Sequence, residues 1–130
     1  MNVLRRLRTR AAATGLAREF YTDEEIFALD LDLIFYREWL FAAPTVELPQ
    51  TGSYLTLQIG AYPILLVRAA DRRIHAFINS CRHRGSRLCA QPCGTAAKLV
   101  CPYHQWTYEL DGRLCAARQM ARGSIARNLG

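Results

Sequence analysis

The sequence predicts a mainly β domain, an antiparallel sandwich or barrel, preceded by an N-terminal helical segment. Three observations carry this. Short stretches of period-two alternation follow one another from residue 54 onward. A turn dipeptide, Asp111-Gly112, stands between the last two of them. Ahead of them, a group of acids opens an apolar pattern at helical spacing, and Pro44 and Pro49 close that region off.

The helical segment spans residues 20–43. Thr22-Asp23-Glu24-Glu25 fits a capping box, with Thr22 as N-cap and Glu25 reaching back. Acids in the first turn also suit the positive end of the helix dipole. Ile26, Leu29, Leu33 and Tyr36 follow at helical spacing, which predicts a helix from about Asp23 to Arg37. The alternation from Leu29 to Leu33 disturbs its middle. Residues 1–19 hold Arg5, Arg6, Arg8 and Arg10 and read as a mobile basic terminus. They share an Arg-rich, acid-poor character with transit peptides, but no processing site is evident.

The β region spans residues 44–118. Strands are expected at Tyr54–Ile59, at Ile64–Val67 after Pro63, and at Ile74–Ile78, with a turn at Ala70–Arg73. Lys98–Cys101, Trp106–Leu110 and Arg113-Leu114 complete the set. Residues 119–130 carry no strand pattern.

Composition narrows the function. The 130 residues suit one domain, and 51% of them are apolar, so a packed core is expected rather than disorder. No stretch is apolar enough to span a membrane. Net charge is +6, and the aromatics are not interleaved with the arginines as in a nucleic-acid groove. A cytoplasmic protein with no nucleic-acid or membrane partner is expected. The five cysteines are an odd number without a secretory signal, which favours a metal site over a disulfide framework.

Four residues carry that site. CRHRG supplies Cys81 and His83; CPYHQW supplies Cys101 and His104. Zinc is the competing reading, since two cysteines and two histidines form a common structural zinc set. Zinc fingers, however, pair cysteine with cysteine and histidine with histidine, whereas here each cluster holds one of each. Two such loops can bind two irons unequally, both thiolates on one and both imidazoles on the other, which is the Rieske [2Fe–2S] ligand set.

CRHRG followed by CPYHQWTYELDGRL resembles the Rieske domain at the start of Rieske non-haem iron oxygenase α subunits, over roughly Phe20 to Met120. EFYTDEEIFALDLDLIFYREWLF and NSCRHRGSRLC are similar to the branch that oxidises quaternary ammonium compounds such as glycine betaine, carnitine and choline. The resemblance implies a Rieske [2Fe–2S] antiparallel β-sandwich. Cys81 and Cys101 would hold the inner iron, and His83 and His104 the outer one. It also implies electrons from a reductase, in some members through a ferredoxin, and delivery to a mononuclear Fe(II) in a neighbouring subunit of a homotrimer. Respiratory Rieske proteins carry a serine where Trp106 stands and a cysteine where Tyr103 stands. Their first-loop cysteine lies closer to the histidine than Cys89 does. These departures imply a potential low in the Rieske range.

The remaining candidates surround the ligands. Gly85 and Gly94 are either needed for close backbone approach or are turn glycines. Arg84 either fixes its loop or meets a partner's carboxylate, unless it is merely solvated. Trp106 and Tyr108 are read as packing beneath the cluster. His75, in a strand, is read as a satisfied histidine. Cys89, Cys93 and Cys115 are expected as free thiols, with a local Cys89–Cys93 disulfide or zinc site as the alternative. Only three histidines are present, too few for a mononuclear site as well, so the chain reads as a truncated N-terminal domain with no oxygenase activity of its own. A free-standing Rieske ferredoxin and a structural zinc module remain the alternative functions.

Overall fold

The computed structural model describes residues 3–118 and 129. They fall into two compact units that divide between Phe41 and Ala42. The tail expected at 119–130 lies outside the described residues except for Leu129.

The first unit is helical. Helices α1 (Val3–Arg8), α2 (Glu19–Thr22) and α3 (Glu24–Asp30) are followed by a π-helical turn at Leu31–Phe35. The basic terminus thus contains a helix that its charge pattern hid. Val3, Leu4 and Leu7 of α1 line an apolar hollow with Ile26, Leu29 and Leu33. Arg6 lies over the Phe20 ring at 5.5 Å and pairs with Glu19 at 3.5 Å.

The cap of α3 differs from the expected one. Asp23, not Thr22, is the N-cap: its Oδ1 accepts from Glu25 N at 2.9 Å and Ile26 N at 3.2 Å. Thr22 instead donates to Arg18 O at 3.3 Å and belongs to the helix before. A carboxylate is at least as good an N-cap as a hydroxyl and adds charge at the positive end of the dipole. The helix expected to continue to Arg37 is α-helical only to Asp30. The π turn then falls on the alternating stretch, with Tyr36 N donating to Leu31 O at 2.9 Å.

The second unit opens with a 3₁₀ turn at Thr45–Glu47 and continues as two antiparallel sheets. Strands β1 (Ser53–Ile59), β2 (Tyr62–Arg68), β3 (Ile74–Ile78) and β4 (Cys93–Thr95) form the larger, in the order β3-β2-β1-β4. Strands β5 (Leu99–Val100), β6 (Thr107–Tyr108) and β7 (Leu114–Ala116) form the smaller, in sequence order. Pro63 sits near the start of β2, where its missing N–H costs little, and its carbonyl accepts from Asn79 N at 2.7 Å. Gly112 makes the expected turn with φ +88°.

Strand β4 escaped the sequence reading, because Cys-Gly-Thr is exposed throughout and has no apolar alternation. Its partner defines it: Ser53, Tyr54 and Leu55 pair with Thr95, Gly94 and Cys93. The Tyr54 ring lies across Gly94, where a Cβ would meet Tyr54 Oη at 2.6 Å. Gly94 is therefore a close-approach glycine, but it accommodates a tyrosine and not a metal site.

The core between the sheets contains Leu65, Val67 and Phe77 from one side and Leu99, Trp106, Tyr108 and Leu110 from the other. Cys81 and Cys101 belong to the same cluster. Arg68 closes one end, its guanidinium donating to the carbonyls of Leu48, Arg72 and Thr45. Asn79 closes the end nearer the cysteines. It is 1% exposed, its Nδ2 donates to Cys89 O at 2.7 Å, and its Oδ1 accepts from Leu88 N at 3.1 Å and Cys89 N at 3.0 Å.

Replacing Asn79 by Ala strands two buried N–H groups and a carbonyl. Unfolding in urea should show a loss of about 3 kcal/mol, given about 1–3 kcal/mol for each buried polar group left unsatisfied. A loss below about 1 kcal/mol would mean that the Leu88–Cys89 backbone finds other partners.

Candidate metal centre

Two loops meet at the edge of the core. The first follows β3 and the second joins β5 to β6. Their backbones are built alike. Cys81 N donates to Ser86 O at 2.8 Å, and Cys101 N donates to Trp106 O at 2.8 Å. Gly85 N donates to Cys81 O at 2.9 Å, and Gln105 N donates to Cys101 O at 3.0 Å. Each loop turns through a left-handed residue four positions after its cysteine, Gly85 at φ 73° and Gln105 at φ 60°. The nearest atom to a Cβ on Gly85 would be Ser80 Oγ at 3.9 Å, so conformation and not space calls for glycine there.

Within this shared frame the histidines are offset by one residue, two positions after Cys81 but three after Cys101. The loops still bring like side chains together. The cysteines, each 2% exposed, belong to the same buried cluster, and Cys81 helps to lower the Cys101 thiol. The His83 and His104 rings meet edge to face with centroids 4.7 Å apart. His83 stacks on Trp106 at 4.8 Å, and His104 lies against Tyr103 at 3.8 Å.

The electrostatics suit metal ligands. Burial pushes the Cys101 thiol up, but the backbone N–H groups of Tyr103 and His104, with Cys81 and Ser86, outweigh it and hold the group below its ordinary value. Burial, then His104 and Arg84, lowers His83, which keeps the imidazole neutral. His83 Nδ1 and His104 Nδ1 are buried without hydrogen-bond partners, as are His75 Nε2 and the Trp106 indole N–H. Only the first two belong to imidazoles that face each other, and a buried imidazole nitrogen is costly unless something takes its lone pair. A metal does so.

Among the described residues no three His, Cys, Asp or Glu side chains converge on one point as for a single ion. The division is thiol with thiol and imidazole with imidazole. Two irons with two protein ligands each need that division, whereas a tetrahedral zinc needs all four at one centre.

Tyr108 does more than pack. It is fully buried, its Oη accepts from Arg82 N at 3.1 Å, and it lies 3.3 Å from Cys81 Sγ. Arg82 N donates to the oxygen, which leaves the phenol proton free to be donated to the sulfur. Burial, then the bond to Cys81, raises its pKa and keeps it protonated. The sequence held one sign of this: a tyrosine, not a phenylalanine, at a buried position needs a partner for its hydroxyl. Asn79 and Gln105 carried no such sign. Arg84 is exposed and bears on the site through its charge near His83. Tyr103 is 60% exposed, whereas Trp106 is 1% exposed. His75 is not the hydrogen-bonded histidine expected: its buried Nε2 has no hydrogen-bond partner and reaches only to 3.6 Å from Asp71 Oδ1, while its ring stacks on Phe77. All five cysteines are free thiols, and burial pushes Cys89 up to about 11.

Residues 38–127 match the Rieske [2Fe-2S] domain, and the chain belongs to that family. Its cofactor is the Rieske [2Fe–2S] cluster. Among curated proteins, it is 56% identical over 111 residues to the glycine betaine monooxygenase oxygenase subunit of Pseudomonas aeruginosa, covering 85% of this chain and 26% of that one. It is 58% identical over 113 residues to the subunit of that name from Chromohalobacter salexigens, covering 87% and 25%. Among solved structures, the apo quaternary ammonium Rieske monooxygenase CntA superimposes with a TM-score of 0.74 at 36% identity, over 81% of this chain and 31% of that one. Naphthalene 1,2-dioxygenase from Rhodococcus sp. gives 0.73 at 29% identity, over 83% and 26%. The chain spans about a quarter of the length of these curated relatives.

Proposed function

We propose that Cys81, His83, Cys101 and His104 hold the [2Fe–2S] cluster, and that the chain is the electron-transfer domain of an oxygenase subunit acting on a quaternary ammonium compound. The observation that carries the ligand assignment is the pairing of two buried thiols beside two imidazoles whose buried Nδ1 atoms have no other partner. The similarity to glycine betaine monooxygenase subunits and to CntA supports the substrate class.

When bound, the cluster supplies reversible one-electron transfer. The chain's own residues supply the setting. Cys81 and Cys101 anchor one side within the core, where water is excluded. Tyr108 donates toward the Cys81 sulfur and offsets part of its negative charge. His83 and His104 bring the other side to the half-exposed rim. In this reading, a reductase delivers electrons there, and they pass to a mononuclear iron held by other parts of the oxygenase. His75 is the one histidine left over, and a two-histidine iron site cannot be made from it. Inter-subunit electron transfer described for a quaternary ammonium Rieske monooxygenase supports a relay between copies. A trimer located in the cytoplasm completes this reading. Exposed Trp39 and Phe41 in the helical unit fit a chain that works against further protein surface.

EPR of the anaerobically purified, dithionite-reduced protein tests the ligand reading. A rhombic signal of low average g is expected, with iron and acid-labile sulfide in equal amounts. Zinc, or no metal after reconstitution, would overturn it. Cys101→Ala should abolish the signal.

Tyr108→Phe should keep the signal and lower the reduction potential. A hydrogen bond worth about 1 kcal/mol corresponds to about 40 mV for one electron. An unchanged potential in protein-film voltammetry would show that the hydroxyl does not act on the cluster.

A further inference from the structure

The only lysine of the sequence lies against a cysteine. Lys98 stands just ahead of β5, Glu109 just after β6, and Cys115 within β7. Lys98 Nζ donates to Glu109 Oε1 at 2.5 Å and to Cys115 Sγ at 3.8 Å. Cys115 Sγ donates to Thr107 O at 3.3 Å. The three side chains meet on an exposed part of the smaller sheet; those of Lys98 and Glu109 are 47% and 32% exposed. Each of the three interacts with the other two.

The other thiols are placed differently. Cys81 and Cys101 lie in the core, and Cys89 is buried and pushed up to about 11. Cys93 is exposed and pairs through its backbone with Leu55, and no lysine lies at its sulfur, because the one lysine of the sequence is Lys98 at Cys115. Cys115 alone combines access for a small oxidant with an amine at its sulfur.

We propose that Cys115 and Lys98 form a peroxide-driven covalent S–N bridge across β6. In the first step the sulfur attacks one oxygen of hydrogen peroxide. The O–O bond breaks, the thiol is oxidised to a sulfenic acid, and one water leaves. In the second step the Lys98 amine attacks that sulfur. An N–S bond forms, the S–O bond breaks, and the hydroxyl leaves as a second water with a proton from the nitrogen. One thiol, one ammonium and one peroxide thus give one sulfenamide, two waters and one proton. The ammonium must release its extra proton before it attacks. The Glu109 carboxylate is placed to accept and pass it on. Because Glu109 also holds the ammonium in its charged form, bridging is faster at higher pH. Two equivalents of a thiol reductant reverse the bridge, returning thiol and amine and leaving a disulfide of the reductant.

The bridge would fasten the strands on both sides of β6 and withdraw the S–H donor from Thr107 O. It does not depend on the identity of the metal or of the oxygenase substrate.

The full chain, with its metal in place, is treated with hydrogen peroxide at neutral and mildly alkaline pH. It is then alkylated, cleaved after arginine and analysed by mass spectrometry. The expected product joins the Lys98 and Cys115 peptides with loss of two hydrogens. Fragment ions place the bond on Lys98, the yield rises with pH, and dithiothreitol removes the product. Lys98→Arg keeps the cation, so the fold should be retained. It should lose the joined peptides and leave a Cys115 sulfenic acid that dimedone captures. The proposal is overturned if wild-type Cys115 is captured by dimedone without joining. It is equally overturned if the bond falls on Cys89 or Cys93, or if Cys93 is oxidised faster than Cys115.

Discussion

The burial of two thiols inside the hydrophobic core is the constraint on which this structure turns. Cys81 and Cys101 are 2% exposed and pack with Leu99, Trp106 and Tyr108. A buried thiol is an ordinary small hydrophobe, but a buried thiolate needs donors. The loops provide them: backbone N–H groups turn toward Cys101, and the Tyr108 hydroxyl lies against Cys81. The rest of the domain serves that arrangement. Asn79 fixes the chain after Cys81's loop by binding the Leu88–Cys89 backbone. Strands β5 and β6 hold the second loop at both ends.

Much of the fold was legible because alternation and turn chemistry are local. The strand expected at Ile74–Ile78 is found at those bounds, and Asp111-Gly112 turns as expected. Misses occurred where a neighbour decides the conformation. Strand β4 exists because β1 presents an open edge and Tyr54 covers Gly94, facts that Cys-Gly-Thr does not carry. The cap moved by one residue because Thr22 was already committed to α2. Helix α1 was hidden because its few apolar residues form a pattern only with Ile26, Leu29, Leu33 and Ile34, which line the same hollow from later in the chain.

The candidate site was legible for a different reason. Cysteine and histidine at short spacing are uncommon enough to point to candidate ligands, and each cluster offered one pair. The sequence could not show that thiol would face thiol and imidazole face imidazole, since that is settled where the loops meet. Nor could it show that Gly94 answers to Tyr54 while Gly85 answers to its own backbone angle. The expectation of packing for Tyr108 captured its burial and missed its hydroxyl.

The one-residue offset of the histidines has a geometric consequence. The two loops share their backbone hydrogen bonds, but His83 and His104 leave that frame at different steps. One imidazole is backed by enclosed Trp106 and the other by open Tyr103. The rim therefore has a left and a right that no rotation exchanges. Under the proposed function, a protein docking there would meet two unlike sides, one of them the uncovered Tyr103.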